Sequence, residues 1–532
     1  MKKEYKIYFP YSKIRPIQKT AFDFIFSNLN SKKYIILEGP VGSGKSAIAY
    51  TLSKWILNNY KPSCDFENGS YIVTTQKILQ EQYINDFNDI AYIWSKSNYT
   101  CKHRKNMSCD DGQRLAQIFS DSKESKKCNI DCVYNTEFKK FLANPIGVTN
   151  TAYILNQLTY NKSEKLSLKK RALLVIDECH NLEQAIVNFV STKIYKNFCE
   201  EDLEIDYIND ENLDLLSIKK WISDIFMKGL EDKILNITDE ILSIDPKKQK
   251  VRPLVKKYND LDKIKCKTDR FIKMFNEKNW VVTKENDYFE LKPIYINQIT
   301  QSLLFNISEK ILLMSGTILN HETFCQHVGI PIEESCFLSM DSPFKKENRK
   351  IFISNIASMN YKNIDSGIKN INNAVQYLLS QHRGQKGIIH THTYKIAKYL
   401  KDNDKTKRLL IHETNNRNEI LNKHIKSKHD TVLVSPSFTE GIDLIDEYSR
   451  FQIICKIPFP YLKDNYIIEK MKKCKNWYEW QVAKTIIQAL GRSVRSENDY
   501  AISYILDSDW NFFYNKNNFL FPKWFKDSII FL

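Results

Sequence analysis

Gly39-Pro-Val-Gly-Ser-Gly-Lys45-Ser46 is a phosphate-binding loop in the setting its chemistry needs. Tyr34 to Leu37 before it is a short apolar run fit for a buried strand. Ala47 to Leu57 after it carries apolar residues on one helical face, so the loop opens a helix whose free amides face an anion. Gly39, Gly42 and Gly44 let the backbone wrap phosphates. Lys45 reaches the β- and γ-phosphates of a nucleotide, and the Ser46 hydroxyl suits a Mg²⁺ ligand.

The chain around this loop has 532 residues, enough for roughly three or four domains, with 42% apolar residues to fill their cores. A net charge of +16 with the basic residues spread out suits a polyanionic partner, nucleic acid more readily than membrane. Glu4, Lys6 and Pro10 interrupt any signal-peptide core, and no run approaches the roughly 18 apolar residues of a membrane span. These features predict a soluble intracellular (cytoplasmic) protein without membrane association. Twelve cysteines in a chain this long exclude a disulfide scaffold, although Cys101, Cys109, Cys128 and Cys132 cluster.

Outward from the loop, Tyr71 to Thr75 reads as a second strand and Ile78 to Phe87 as a helix, which is the grammar of a parallel sheet covered by helices. Lysines, polar residues and the four cysteines break the pattern over 99–145. Ile146 to Thr149 and Leu173 to Ile176 resume it. From 196 to 289 helical periodicity dominates, with an acidic stretch followed by a basic one, and Ile311 to Ser315 returns to the sheet. The expected organisation is α/β: a first parallel-sheet domain in three parts (1–98, 146–195 and 290–340), a cysteine-bearing insertion (99–145), a mainly helical insertion (196–289) and a second α/β domain (341–532).

A phosphate loop needs an acidic partner at the end of a neighbouring strand, and Leu173-Leu-Val-Ile-Asp177-Glu178-Cys-His180 offers one. Asp177 would hold the Mg²⁺ shell and Glu178 would orient or deprotonate the attacking water. Downstream, in Gln488-Ala-Leu-Gly491-Arg492-Ser-Val-Arg495, two arginines three apart share one face. They would reach a transferred γ-phosphate, an interaction that contributes about 10³ to 10⁵ in rate. Taken alone, such a pair reads better as a solvated helix end.

In this order the motifs resemble those of superfamily 2 helicases, within them the iron-sulfur group represented by XPD and DinG. Gln18 in Arg15-Pro-Ile-Gln18 is similar to the adenine-reading glutamine. Thr74-Thr75-Gln76 resembles the strand-contacting motif, Asp177-Glu-Cys-His180 the Asp-Glu-Ala-His box with Cys179 where Ala is usual, and Ser315-Gly316-Thr317 the coupling motif. Ser342-Pro-Phe344 matches the start of the second motor domain, His390-Thr-His-Thr393 the fourth motif, Thr439-Glu440-Gly441-Ile-Asp443 the fifth, and Gln488 to Arg495 the sixth. The resemblance implies two RecA-like motor domains closing on ATP and Mg²⁺. It implies catalytic roles for Lys45, Asp177, Glu178, His180, Arg492 and Arg495, with nucleotide contacts from Gln18, Gly39, Gly42, Gly44, Ser46, Gly441, Asp443 and Gln488.

Between the four clustered cysteines lie seven, eighteen and three residues, so the Cys-x-x-Cys pairs of structural zinc sites are absent. Their position between the Thr74 motif and the Asp177 box is where the family carries a [4Fe–4S] cluster; four thiolates also suit Zn²⁺, and free thiols stay open. Lys102, His103, Arg104, Lys105, Lys126 and Lys127 around them are either phosphate contacts or solvated charges. The family implies a monomeric ATP-dependent DNA helicase, travelling 5′ to 3′ on single-stranded DNA and working at duplex junctions or DNA–RNA hybrids in repair, recombination or replication. Thr75, Thr149, Asn150, Thr391 and Thr393 are expected to contact the strand. Alternatives are a translocase that remodels nucleoprotein or R-loops with little unwinding and a non-catalytic nucleic-acid-binding protein.

Overall fold

The computed structural model describes residues 4–40, 42–104, 106–120, 128, 131–160, 167–208, 214–246, 248–413, 415–436, 444, 446–491, 493–494 and 499–531. In its first half β1 (Tyr34–Glu38), β2 (Glu67–Thr74), β3 (Ala91–Tyr92), β4 (Ile146–Asn150) and β5 (Arg171–Asp177) alternate with helices. β6 (Thr192–Tyr195), β7 (Trp280–Glu285) and β8 (Tyr288–Pro293) follow, then β9 (Ser308–Ser315) and β10 (Ser335–Ser339). The second half holds β11 (Ile351–Ala357), β12 (Gly387–His390), β13 (Leu409–Ile411), β14 (Val432–Ser435), β15 (Phe451–Ile454), β16 (Ile502–Asp507) and β17 (Ile529–Phe531).

Among the described residues these strands form two seven-stranded parallel sheets, ordered β10-β1-β9-β5-β2-β4-β3 in lobe 1 and β13-β14-β12-β15-β16-β11-β17 in lobe 2. The central strands are buried end to end, as expected of parallel strands covered on both faces. β1 lies between β9 and β10, with Tyr34 opposite Ile311 on one side and Ser335 on the other. Both insertions therefore leave lobe 1 and return to the same sheet.

The region read as strand-poor, 196–289, departs from that reading at its end. β7 and β8 form an antiparallel hairpin that also pairs with β6, giving a three-stranded sheet across the expected limit at 289. Trp280-Val-Val-Thr283 has the aromatic and β-branched content of a strand, which the surrounding helical periodicity masks in sequence. The helices Met227–Leu242 and Val251–Met274 pack against each other, the second also meeting β6, and with this sheet they are termed the arch.

The cysteine-bearing segment packs against the arch through polar contacts. Arg114 donates to Asn259 Oδ1 at 3.0 Å and pairs with Asp262, Asn259 Nδ2 donates to Asp111 Oδ1 at 2.9 Å, and Arg104 donates to the Pro246 carbonyl at 2.8 Å. No described helix is long and apolar enough to cross a membrane.

Candidate nucleotide site and cysteine cluster

β1 delivers the phosphate loop to the start of helix Lys45–Asn59, and β5, two strands away in the sheet, delivers Asp177 and Glu178 to the same edge. Gly42 and Gly44 adopt φ of 78° and 79°, left-handed values that strain any residue with a Cβ. Space forbids one too: a Cβ on Gly44 would stand 2.2 Å from Gln18 Nε2, and one on Gly42 would stand 2.3 Å from the Phe344 ring. Gly44→Ala should therefore weaken binding of a fluorescent ATP analogue by about tenfold or more, since roughly 1–3 kcal/mol of backbone strain falls on the loop.

Lys45 Nζ donates to the Gly39 carbonyl at 3.1 Å and lies 3.6 Å from Glu178 Oε1. Glu178 Oε2 is 3.2 Å from His180 Nδ1, which is 2.7 Å from the Ser315 hydroxyl. Ser315 Oγ accepts from the Thr317 amide at 3.0 Å, and Thr317 Oγ1 accepts from Gln488 Nε2 of lobe 2 at 3.1 Å. An unbroken polar chain thus links the acid pair of one lobe to a helix of the other.

Both lobes line one cleft of about 860 Å³, with Arg15, Gly42, Gly44, Lys45, Ser46, Asp177, Glu178 and His180 on one wall and Phe344, Gln488 and Gly491 on the other. Burial, reinforced by the neighbouring Glu178 charge, pushes the Asp177 carboxyl up to about 6. Its Oδ2 accepts from the Tyr83 phenol at 3.0 Å, and Tyr83 also meets the Ser46 hydroxyl. Two adjoining carboxylates with a hydroxyl beside them form an oxygen donor set that fits Mg²⁺.

Gln18 lies beside the phosphate loop, its Nε2 against Gly44. It is buried, its Oε1 accepts from the Arg15 amide at 2.9 Å, and Arg15 is the residue of this segment that lines the cleft. Arg15 also donates to the Gly42 carbonyl at 2.5 Å. Gly441 and Asp443 with the rest of the fifth motif, Arg492 and Arg495, and Lys105, Lys126 and Lys127 lie outside the described residues. Tyr83, Arg15 and Phe344 join the site without having been assigned to it from sequence. Arg15 and Phe344 are ends of the quoted stretches Arg15-Pro-Ile-Gln18 and Ser342-Pro-Phe344, whereas Tyr83 carries no motif signal.

Of the residues expected to contact the strand through hydroxyls or amides, two have their hydroxyls engaged within the protein. Thr149 and Thr391 are buried, and their hydroxyls donate inward, to the Ile93 carbonyl at 3.2 Å and the Thr393 carbonyl at 3.1 Å. Asn150 stays half-buried at the strand end, and Thr393 caps helix Tyr394–Asp402.

Cys101, Cys109, Cys128 and Cys132 are all buried. Among the described residues no group of three or more His, Cys, Asp or Glu side chains stands at metal-holding geometry. The four thiols are nonetheless mutual neighbours. The Cys128 thiol donates a hydrogen bond to the Cys101 sulfur and, with backbone amides of His103 and Arg104, lowers its pKa to about 6 against the effect of burial. The same bond, with burial, raises Cys128, while burial and the Cys132 thiol push Cys109 up to about 11.

Gln113 Nε2 donates to Cys132 Sγ at 3.1 Å, and Gly112 leaves room for Cys101, because a Cβ there would lie 2.6 Å from its sulfur. Four buried neighbouring thiols are a soft sulfur donor set that fits a thiolate-bound metal centre.

The family model of the type III restriction enzyme res subunit matches residues 11–202, and that of the helicase C-terminal domain matches residues 388–528. A probable ATP-dependent helicase of Methanocaldococcus jannaschii is 22% identical over 94% of this chain and 93% of its own length. The ATP-dependent DNA helicase CHL1 of Saccharomyces cerevisiae is 22% identical over 70% of this chain, which spans 48% of that relative. A solved XPD helicase superposes with a TM-score of 0.66 at 16% identity, covering 98% of this chain and all of that one, and Xpd4 of S. tokodaii gives 0.58 at 14% over 97% of this chain and all of that one. Motif order, matches in both lobes and a shared two-lobed architecture agree: the chain carries res-subunit and helicase C-terminal domains, is similar along nearly its whole length to an ATP-dependent helicase, and shares the fold of the XPD helicases.

Proposed function

We propose that the chain hydrolyses ATP to move 5′ to 3′ along single-stranded DNA and to separate duplex or DNA–RNA hybrid ahead of it, acting as a monomer in repair, recombination or replication. The observation that carries this reading is the cleft whose walls come from both lobes, with Lys45 and the acid pair facing Gln488. A ligand that touches both walls draws the lobes together, and its cleavage releases them.

The residues divide the chemistry among them. Lys45 and the loop amides neutralise the β- and γ-phosphates, and Glu178, steadied by His180, orients the attacking water and takes its proton. Arg492 and Arg495 are assigned the charge that develops on the γ-phosphate, delivered from lobe 2. When bound, Mg²⁺ would be held by Ser46 and Asp177 and would offset phosphate charge. When bound, a [4Fe–4S] cluster would supply iron–thiolate bonds tying Cys101, Cys109, Cys128 and Cys132 into one rigid unit, with zinc as the alternative occupant. A rigid unit pressed against the arch suits a wedge at a duplex junction.

The test is ATP turnover with and without single-stranded DNA, then displacement on 5′-tailed and 3′-tailed DNA and hybrids. Displacement confined to 5′-tailed substrates is the expected result. Stimulated turnover without displacement would favour the translocase, and no turnover with DNA present would favour a binding protein.

A further inference from the structure

Lobe 2 sends one helical excursion out of its own sheet. Between β15 and β16 the chain passes through helices Asn465–Lys473 and Trp477–Leu490, and each touches structure outside lobe 2. The second helix lies along lobe 1: Trp480 Nε1 donates to the Ile318 carbonyl at 2.8 Å, Lys484 Nζ to the His180 carbonyl at 3.4 Å, and Gln488 Nε2 to Thr317 Oγ1 at 3.1 Å. His180 and Thr317 both line the nucleotide cleft.

The first helix and the residue before it lie on the antiparallel sheet at the base of the arch. Asn465 Nδ2 donates to the Val282 carbonyl at 2.9 Å, Thr283 Oγ1 to Asp464 Oδ1 at 3.2 Å, and the Tyr295 phenol to the Lys473 carbonyl at 2.6 Å. One end of the excursion therefore borders the cleft and the other contacts the arch sheet.

Its bend is pinned by charge. Lys470, almost fully buried, pairs with Glu183 at 2.6 Å and bonds the Ile294 carbonyl, while Trp477 Nε1 donates to the other Glu183 oxygen at 3.3 Å. Glu183 stands at the start of helix Leu182–Val190, three residues after His180. Burial pushes its carboxyl up, but Lys470, His327 and Lys484 together hold it below the ordinary value. Separating such a pair strands two buried charges, so the contact is either made or broken and does not slide.

We propose that this helix pair is the element that transmits opening and closing of the nucleotide cleft to the arch, with Glu183 and Lys470 as the positioning residues that fix its bend. The proposal rests on the nucleotide reading of the cleft. Helices resist stretching, so a displacement at Gln488 is carried through the pinned bend to Asn465 and from there to β7. The arch would then shift with each ATP cycle although it touches no nucleotide.

Hydrogen exchange on the full chain tests this. A non-hydrolysable ATP analogue with Mg²⁺ should slow exchange in helix Lys45–Asn59 and also change the rate in Trp280–Glu285, by about threefold or more. In the variant Thr283→Ala/Asn465→Ala/Tyr295→Phe, which alters only the docking of the excursion on the arch sheet, the response of Lys45–Asn59 should persist and that of Trp280–Glu285 should vanish. A second variant, Glu183→Gln/Lys470→Met, removes both charges of the pin together and should show the same loss at Trp280–Glu285. An unresponsive Trp280–Glu285 segment in the native chain, or an undiminished response in the triple variant, overturns the proposal. If Lys45–Asn59 is also unresponsive in the native chain, the nucleotide reading falls and takes the proposal with it.

Discussion

Lys45→Ala should reduce DNA-stimulated ATP turnover to background. The Nζ of Lys45 stands between the Gly39 carbonyl and Glu178, where the phosphate chain of a nucleotide would lie, and it is the lysine that the cleft offers from the phosphate loop. Losing one preorganised donor to developing charge costs about 10² to 10³ in turnover, roughly 2.7–4 kcal/mol. Here ground-state binding falls as well, because the same ammonium holds the bound phosphates. The loss should therefore appear in kcat/KM even at saturating DNA. Phosphate-release kinetics check this, and turnover within tenfold of the native chain would remove Lys45 from the proposed role.

The second large effect is expected at Cys128. Cys128→Ser removes the thiol that bonds Cys101 and adjoins Cys109 and Cys132. A hydroxyl is a poor ligand for iron or zinc in a thiolate set, so metal content should fall to near zero after anaerobic purification, by iron, sulfide and zinc counting. Strand displacement should be lost with the metal, while DNA-stimulated ATP turnover persists, because the cluster stands apart from the cleft-lining residues. Full displacement by metal-free protein would contradict the wedge. The metal count on the native chain separates the occupants: iron with sulfide for the cluster, zinc alone for a structural zinc site.

Local signals were the legible ones. The loop from Gly39 to Ser46, its flanking strand and helix, and the Asp177-Glu178 pair after an apolar strand each sit within a few residues, so chain geometry alone brings them together. Parallel pairing was legible because strands alternated with helices. Side-chain partners from distant segments were not: Tyr83 reaches Asp177 across 94 positions, and Gln488 reaches Thr317 across 171.

Side-chain bonds inside a motif were equally hidden: Gln18 accepts from the Arg15 amide while Arg15 lines the cleft, and the Thr149 and Thr391 hydroxyls bond carbonyls of their own lobes. The antiparallel sheet escaped detection because a single hairpin followed a long helical run.

The place of β1 in lobe 1 bears on how the chain is made. Tyr34 has Ile311 on one side and Ser335 on the other, so this strand waits for partners synthesised some three hundred positions later. Loop closure over such separations is slow, and the nascent segment carries unsatisfied strand edges and a buried-type apolar run meanwhile. Emergence from the ribosome should leave lobe 1 dependent on holding chaperones until β9 and β10 appear, whereas lobe 2, contiguous from β11 to β17, can close on itself as soon as its last strand is released.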